Sequence, residues 1–139
     1  MKRRNGFFSF SIVTVAVLTL SLALTAATLA WQHFQMARTY EETVRLTYLA
    51  ESALCEGWNQ LRQDPDAFLA VQAMAVPRAE GLAGPGDILT VRCQYQPAGY
   101  LQARAAAPGT GVQQTCGLHF AVTADEQGRT VLHFVQYVN

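Results

Sequence analysis

Hydrophobic residues form one unbroken run at the start of the chain. From Phe7 to Trp31 every residue is apolar apart from serine and threonine. As a helix with about 1.5 Å rise per residue, this run is about 37 Å long, enough to cross a hydrocarbon layer of about 30 Å with some tilt. Serine and threonine are tolerated because their hydroxyls can bond back to a helix carbonyl. The run therefore predicts a transmembrane helix over residues 7–31.

The helical pattern continues beyond the apolar run. Residues 32–63 contain no proline and one glycine, Gly57. Their apolar positions recur at helical spacing. This stripe consists of Tyr40, Val44, Tyr48, Cys55, Trp58 and Leu61. Glu41 and Arg45 are expected to form an ion pair one turn apart. Residues 32–63 are thus predicted to be an amphipathic continuation of the same helix.

Residues 64–86 are predicted to form a short helix and a connector. Asp64 and Pro65 have the character of a helix N-cap and first turn, with Ala67 to Val71 as the helical body. Residues 76–86 are rich in glycine and proline and predict an irregular connection. This segment therefore separates the long helix from the rest of the chain.

Residues 87–139 change to the alternating pattern of β-strands. The four predicted strands are Asp87 to Gln96, Tyr100 to Ala107, Val112 to Ala124 and Arg129 to Val138. Consecutive strands with short connections pair as an antiparallel meander. The predicted fold class is therefore α+β, with a long N-terminal helix, half transmembrane and half amphipathic, packed on a C-terminal antiparallel four-stranded β-meander.

Charge is distributed unevenly, although the formal net charge of the chain is zero. Lys2, Arg3 and Arg4 are followed by no charged residue until Arg38. A basic cluster before an apolar helix predicts an N-terminus that stays inside and a C-terminal domain that is exported. Zero net charge gives no bulk electrostatic reason to bind nucleic acid, so no specific nucleic-acid partner is expected.

A cleaved secretory signal is the alternative to a membrane anchor. Residues 2–4 then serve as its basic region, residues 12–24 as its apolar region, and Thr28-Leu29-Ala30 as a small-residue cleavage site. The apolar run is long for a signal, and the helical pattern continues through the supposed cut. The anchor is therefore the preferred interpretation.

The junction between Gly6 and Phe7 carries a family resemblance. A short basic leader ends in Gly6, and two phenylalanines then open an apolar helix that continues into an amphipathic one. This arrangement resembles the type IV pilin and pseudopilin family, whose leader is removed by a prepilin peptidase on the cytoplasmic side. The resemblance implies a leader over residues 1–6, cleavage between Gly6 and Phe7, N-methylation of Phe7, and filament assembly through a helix that includes Phe8.

A second stretch strengthens the resemblance. The segment that begins at Arg38 and ends with Leu49-Ala50-Glu51-Ser52-Ala53-Leu54 looks like the region after the anchor in PilX-type minor pilins, which precedes a β-meander. Together the two matches cover about the first 60 residues, and the predicted sheet agrees only in type. The implied partners are other pilins or pseudopilins, the prepilin peptidase, the membrane assembly machinery and the lipid bilayer, with no cofactor.

Ser11 departs from the family pattern. Major pilins usually have glutamate at the fifth position after the cleavage site, and here that position is Ser11. In the family, the carboxylate is thought to pair with the N-terminal amine of a neighbouring subunit, since an unpaired charge in a bilayer is unfavourable. Serine cannot supply this charge. The resemblance therefore implies a low-abundance component at a filament tip or in an initiating complex.

The three cysteines are an odd number for an exported chain, so at most one intramolecular disulfide forms. Cys93 and Cys116 both fall on predicted apolar strand faces. A bridge between them requires Cα atoms within about 7 Å, and buried free thiols fit the same positions. Both interpretations stay open. The spacing of cysteine and histidine shows no zinc motif.

His119 and His133 flank the last predicted hairpin. A four-residue turn places Phe120 opposite His133 and Phe134 opposite His119. The two imidazoles are then expected on opposite faces of the sheet, which argues against a metal pair.

Catalytic motifs are missing from the sequence. The glycines at 81, 84 and 86 lack the lysine and preceding strand of a phosphate-binding loop, and no serine lies in a Gly-x-Ser-x-Gly motif. Glu51 is interpreted as a solvated helix residue, with a packing or assembly contact as the alternative. No enzymatic site is predicted. The alternative to a pilin-like subunit is a signal-anchored or secreted domain whose meander has an unrecognised binding or enzymatic role.

Overall fold

The computed structural model describes residues 4–66, 73–94 and 99–138. Within these ranges the fold is α+β, with one long helix packed on a five-stranded antiparallel sheet. The long helix, α1, spans Arg4–Gln63 without interruption. The chain divides into two compact units, Met1–Tyr40 and Glu41–Asn139. The predicted fold class is therefore confirmed, except that the sheet has a fifth strand.

The first unit consists of the apolar part of α1. Its threonine hydroxyls bond back within the helix, for example from Thr14 Oγ1 to the Phe10 carbonyl at 2.9 Å and from Thr28 Oγ1 to the Thr25 carbonyl at 2.8 Å. This bonding satisfies the hydroxyls without water, as the sequence predicted. The continuity of the helix across Trp31 is confirmed as well.

The second unit contains the C-terminal part of α1 and the whole sheet. Its further elements are β1 (Ala73–Met74), α2 (Pro77–Glu80), β2 (Ile88–Gln94), β3 (Gly99–Ala107), β4 (Val112–Ala124) and β5 (Thr130–Val138). The strands lie in the sheet in chain order, and all neighbours are antiparallel. The four predicted strands correspond to β2 through β5.

Residues 64–86 differ from the prediction at two places. The fifth strand, β1, was missed because two residues are too short to show an alternating pattern. Helix α2 lies in the stretch predicted to be irregular. The Glu56 carboxylate of α1 accepts hydrogen bonds from the backbone N–H groups of Arg78 at 3.2 Å and Ala79 at 2.9 Å. The predicted helix body over residues 67–71 lies outside the described residues.

Helix α1 covers the sheet with a stripe that differs from the predicted one. The buried residues of this stripe are Leu46, Leu49, Ala50, Ala53, Leu54, Gly57 and Leu61. Tyr40 and Tyr48 are 72% and 66% exposed, and Cys55 is exposed too. The prediction was therefore wrong for these three residues and right for Leu61. It favoured aromatic side chains, whereas the structure uses leucines alternating with small residues that let the helix approach the sheet.

Gly57 marks this close approach. A Cβ atom at this position would lie 3.2 Å from Val91 Cγ1 and 3.6 Å from Leu101 Cδ2. Val91 and Leu101 are buried residues of β2 and β3. Because protein interiors are close-packed, a larger side chain would push the helix away from the sheet. An alanine here would require Val91 to shift by a few tenths of an ångström, so Gly57 marks a tight contact between the helix and the sheet.

The hairpin between β4 and β5 has a different register from the predicted one. Phe120 pairs with Phe134, whereas the prediction placed it opposite His133. The turn holds one more residue than predicted, because β5 begins at Thr130 and the Asp125 N–H donates to the Arg129 carbonyl at 2.8 Å. The predicted register was therefore wrong by one residue from Phe120 to Ala124 and by two residues from Gly117 to His119.

An ion pair ties the start of β2 to α1. The Asp87 side chain is 4% exposed, and it accepts hydrogen bonds from Arg45 at 2.5 and 3.1 Å and from the Gly84 N–H at 2.7 Å. The Arg45 guanidinium, followed by the Gly84 N–H, lowers the pKa of the Asp87 carboxyl against the opposing effect of burial. Arg45 also lies 3.3 Å from Glu42, rather than forming the predicted pair with Glu41.

We predict that the Asp87→Asn substitution lowers the free energy of unfolding by about 1 to 2 kcal/mol at neutral pH, because a neutral amide cannot replace the charge-assisted bonds and Arg45 is partly exposed. In the native protein the folded pKa of Asp87 lies below its unfolded value. Its stabilisation is therefore present at neutral pH and is lost as pH falls through the folded pKa. Thermal denaturation of the full chain in detergent across this pH range measures both effects.

The Glu80→Gln variant is the matched control, because Glu80 is exposed and removing its charge should change stability by less than about 0.5 kcal/mol. Acid sensitivity of the Asp87→Asn variant equal to that of the native chain would contradict the assignment of this titration to Asp87.

Candidate functional site

The apolar surface of α1 in the first unit is the candidate functional site. Its large hydrophobic side chains, from Phe8 to Met36, are at least 56% exposed. An exposed apolar surface of this extent marks an interaction with a membrane or another protein. Among the described residues, α1 is the one helix that is long and apolar enough to cross a membrane. A single apolar N-terminal helix of this kind is compatible with a single-pass anchor.

Ser11 differs from other hydroxyl residues of this surface. Those that donate to a carbonyl within the helix are Thr14, Thr19, Ser21, Thr25 and Thr28. The Ser11 hydroxyl has no hydrogen-bond partner in the described part of the chain. It lies in a shallow apolar groove of about 400 Å³ with Phe8, Ile12, Val15 and Ala16. Ser11 can therefore donate to a neighbouring helix without breaking a bond of its own.

Gly6 and Phe7 lie in the first two turns of α1, which begins at Arg4. The prediction started the helix at Phe7, so the helix extends back into the predicted leader. Phe8, next to this junction, is 74% exposed. The predicted cleavage position is therefore continuous with the apolar helix and adjoins its exposed surface.

Glu51 contacts the sheet rather than being fully solvated. It is half-buried, and the Tyr137 hydroxyl of β5 donates to Glu51 Oε1 at 3.3 Å. Burial, with further contributions from Cys116 and Glu51, raises the pKa of Tyr137 to about 12. The phenol therefore stays protonated at neutral pH and remains a donor. The packing alternative for Glu51 is the one that the structure supports.

The three cysteines are free thiols. Cys93 pairs with Leu101 and Cys116 pairs with Ala103, so β3 lies between the two cysteine-bearing strands. Adjacent strands are about 4.8 Å apart, which separates β2 from β4 by about 10 Å, beyond the limit of about 7 Å for a disulfide. The interpretation as a Cys93 to Cys116 bridge was therefore wrong. The alternative, buried free thiols, describes both residues.

His119 and His133 lie on the same outer face of the sheet, contrary to the prediction. The extra turn residue places His133 opposite Ala121, which lies two residues from His119 on β4 and therefore on the same face. The register shift between His119 and Phe120 then pairs His119 with Gln136. The His119 ring stacks on Tyr100 with centroids 4.8 Å apart, and His133 Nε2 lies 3.0 Å from Thr123 Oγ1. Across residues 4–66, 73–94 and 99–138, no group of three or more His, Cys, Asp or Glu residues could hold a metal ion.

An open cavity of about 490 Å³ lies between α1 and the segment around α2. Its lining includes Ser52, Glu56 and Arg78. The Glu56 carboxylate accepts two backbone N–H bonds at 3.2 and 2.9 Å. With these two bonds the Glu56 carboxylate connects α1 to α2. It is therefore not free to act as a general base beside Ser52.

Comparison with known proteins provides no relative from which the role of this site could be inferred. No family model, curated protein or solved structure matches the chain. The candidate site therefore consists of the exposed apolar surface of α1, the junction at Gly6 and Phe7, and the Ser11 hydroxyl, which has no partner among the described residues.

We predict that the native full chain in detergent reacts with a maleimide at Cys55 and not at the two other cysteines. Cys93 and Cys116 are 4% and 2% exposed, and burial raises the pKa of each thiol to about 11. Their reactive thiolate forms are therefore scarce at neutral pH. Intact mass after brief labelling should show one adduct.

The Cys55→Ser variant should show no adduct under the same conditions. In guanidinium all three thiols of the native sequence should react. A native mass short by two hydrogens, with two thiols that stay unreactive after unfolding, would reveal a disulfide and contradict the free-thiol assignment.

Proposed function

We propose that the chain is a minor pilin or pseudopilin, a low-abundance component of a type IV pilus or of a related secretion or competence filament. The observation that carries the proposal is the exposed apolar surface from Phe8 to Met36 on a helix that continues to Gln63 and packs on a sheet with its later residues. A structural role of this kind needs no catalytic site and no cofactor. It needs an anchor, partners and a route into an assembly.

The apolar surface of α1 suits a subunit that lies first in the bilayer and later in a filament. In the bilayer, lipid covers the side chains from Phe8 to Trp31, while the hydroxyls of Thr14, Thr19, Ser21, Thr25 and Thr28 are satisfied within the helix. In a filament, the helices of other pilins or pseudopilins would cover the same side chains. Because helices and lipid tails are similarly apolar, the transfer from lipid to helix bundle involves little loss of hydrophobic stabilisation. The subunit can therefore leave the membrane without exposing its helix to water.

The basic leader sets the orientation before assembly. Lys2, Arg3 and Arg4 hold the N-terminus on the cytoplasmic side, so the domain after Trp31 is exported. A prepilin peptidase would then cut between Gly6 and Phe7 on the cytoplasmic side. The cut removes the charges that keep the helix end at the inner surface and leaves Phe7 as the N-terminal residue for methylation. The membrane assembly machinery can then lift a helix with no side-chain charge near its start.

Ser11 favours a minor rather than a major subunit. A buried carboxylate at this position would need a charged partner, whereas the Ser11 hydroxyl is neutral and has no bond of its own in the described part of the chain. A hydrogen bond between membrane helices contributes about 0.6 kcal/mol on average. Ser11 can therefore support a lateral contact without the strong charge pairing that a repeated filament contact would use.

We predict that the mature chain begins at a methylated Phe7 when it is expressed with a prepilin peptidase. N-terminal sequencing and intact mass of the membrane fraction test this, with a strain that lacks the peptidase as the reference. The Gly6→Leu variant should keep its leader because a bulky residue replaces the small one before the cut. The Asn5→Ala variant is the matched control and should be processed normally.

A mature start at Trp31 would identify a cleaved secretory signal and contradict the proposal. A start at Met1 in the presence of an active peptidase that processes a known pilin in the same cells would contradict it as well.

A further inference from the structure

Arg92 of β2 and Arg104 of β3 are the two charged residues of the described strands, whose sequences contain no aspartate, glutamate or lysine. The second unit, Glu41–Asn139, includes all ten acidic residues of the chain and six of its ten basic residues. Its acidic residues lie in α1, in α2 and in the connections. The sheet therefore carries positive charge within a unit whose net charge is negative.

The strand register places the two arginines close together on the outer face of the sheet. Arg92 pairs with Gln102 and Arg104 pairs with Thr90, so the arginines occupy neighbouring rungs of the β2–β3 ladder. The residue between Thr90 and Arg92 is Val91, which is buried on the side of α1. Thr90 and Arg92 therefore face away from the helix. Diagonal neighbours in an antiparallel pair are about 7 to 8 Å apart, so both guanidinium groups can reach one ligand.

The two arginines border a groove of about 320 Å³. Thr90 and Gln102 contribute polar side chains to its lining, and Ile88 and Ala106 form an apolar rung at one end. Ile88 is 54% exposed. The volume lies at the lower end of the range for small-molecule sites, which begins at about 300 Å³. The groove therefore offers a basic part and an apolar part to one small ligand.

The charges of the two arginines have no counter-ion in the described part of the chain. The ion pairs there belong to Arg45. Arg104 donates a hydrogen bond to the Gln113 side chain, which is neutral, and Arg92 has no side-chain partner among the described residues. The segments 67–72 and 95–98 contain no acidic residue. Because like charges on neighbouring strands repel each other, an anion in the groove would stabilise this arrangement.

We propose that the groove binds a phosphate monoester, with the phosphate between Arg92 and Arg104 and the organic group toward Ile88. A phosphate monoester carries nearly two negative charges at neutral pH and has three strong acceptor oxygens. Two guanidinium groups match this charge, and each can bind phosphate through two parallel hydrogen bonds. Thr90 and Gln102 can donate to the phosphate as well. A carboxylate has one charge and would neutralise only one of the two arginines.

This site is independent of leader cleavage and of filament assembly. Its residues belong to β2 and β3 of the second unit, whereas the proposed minor-pilin function depends on the apolar part of α1. Either proposal can therefore fail while the other holds. The phosphate monoester can belong to a soluble molecule or to a lipid headgroup, and the measurements below distinguish these two sources.

Isothermal titration calorimetry of the full chain in an uncharged detergent, at constant ionic strength, tests the site. Phenyl phosphate should bind with one molecule per chain, and phenyl sulfate, which carries a single charge, should bind more weakly. The Arg92→Gln and Arg104→Gln substitutions should each weaken phenyl phosphate binding about tenfold, because each removes one of the two cations. Arg129→Gln is the matched control, since Arg129 is exposed and precedes β5, and it should leave the affinity unchanged.

Nanodiscs distinguish the two sources of the phosphate. The native chain in phosphatidylcholine nanodiscs should bind phenyl phosphate as it does in detergent. Phosphatidic acid, a lipid phosphate monoester, is then added to the nanodiscs. Weaker binding of phenyl phosphate in its presence would support the site and identify a lipid headgroup as the ligand. Unchanged binding would support the site and identify a soluble ligand.

Three results would overturn the proposal. The first is the absence of saturable phenyl phosphate binding to the native chain. The second is equal affinity for phenyl phosphate and phenyl sulfate. The third is an equal loss of affinity in Arg92→Gln and Arg129→Gln, which would indicate attraction to the net charge rather than to a site. Unchanged circular dichroism of the Arg92→Gln and Arg104→Gln variants shows that weaker binding is not a loss of folding.

Discussion

The structure depends on one helix that meets two different requirements along its length. The side chains from Phe8 to Met36 are exposed and apolar, whereas the buried stripe from Leu46 to Leu61 forms half of a protein core. An apolar helical surface in water is unfavourable in proportion to its area. The first part of α1 therefore needs lipid or other helices, and the second part already has its cover in the sheet. One continuous helix thus carries an exposed apolar segment and, further along, one side of a protein core.

Close packing at small residues, one ion pair and a few hydrogen bonds connect the C-terminal part of α1 to the elements packed on it. Gly57 lets α1 approach the sheet closely, and the Asp87 carboxylate joins the start of β2 to Arg45. Glu56 fixes α2 through backbone N–H groups, and Glu51 accepts a hydrogen bond from Tyr137. All three carboxylates belong to residues that anchor one element to another. These polar groups near the core thus position the elements relative to one another.

The hydrophobic periodicity along the chain made the helix and the strands predictable. The strand register and the buried face of the helix were not predictable, because contacts between residues distant in sequence decide them. The apolar run, the helix to Gln63 and four strands follow from local patterns. The register of the last hairpin does not, because one extra turn residue and a bulge at His119 decide it. The buried stripe was misjudged because Tyr48 looks apolar in sequence, whereas leucines and small residues form the contact with the sheet. The candidate surface was predictable from composition. That the Ser11 hydroxyl has no partner among the described residues, whereas the hydroxyls of Thr14 and Thr19 bond within the helix, could be seen only in the structure.

The central claim is that α1 crosses the membrane and places the second unit outside. Native Cys55 provides a direct probe, because it is an exposed thiol of that unit. Cells stripped of their outer envelope layers can be treated with a membrane-impermeant maleimide, with the Cys55→Ser variant as the blank. The account predicts labelling of Cys55 in intact stripped cells to the same extent as after lysis. Labelling that occurs only after lysis would place the domain inside and contradict the account.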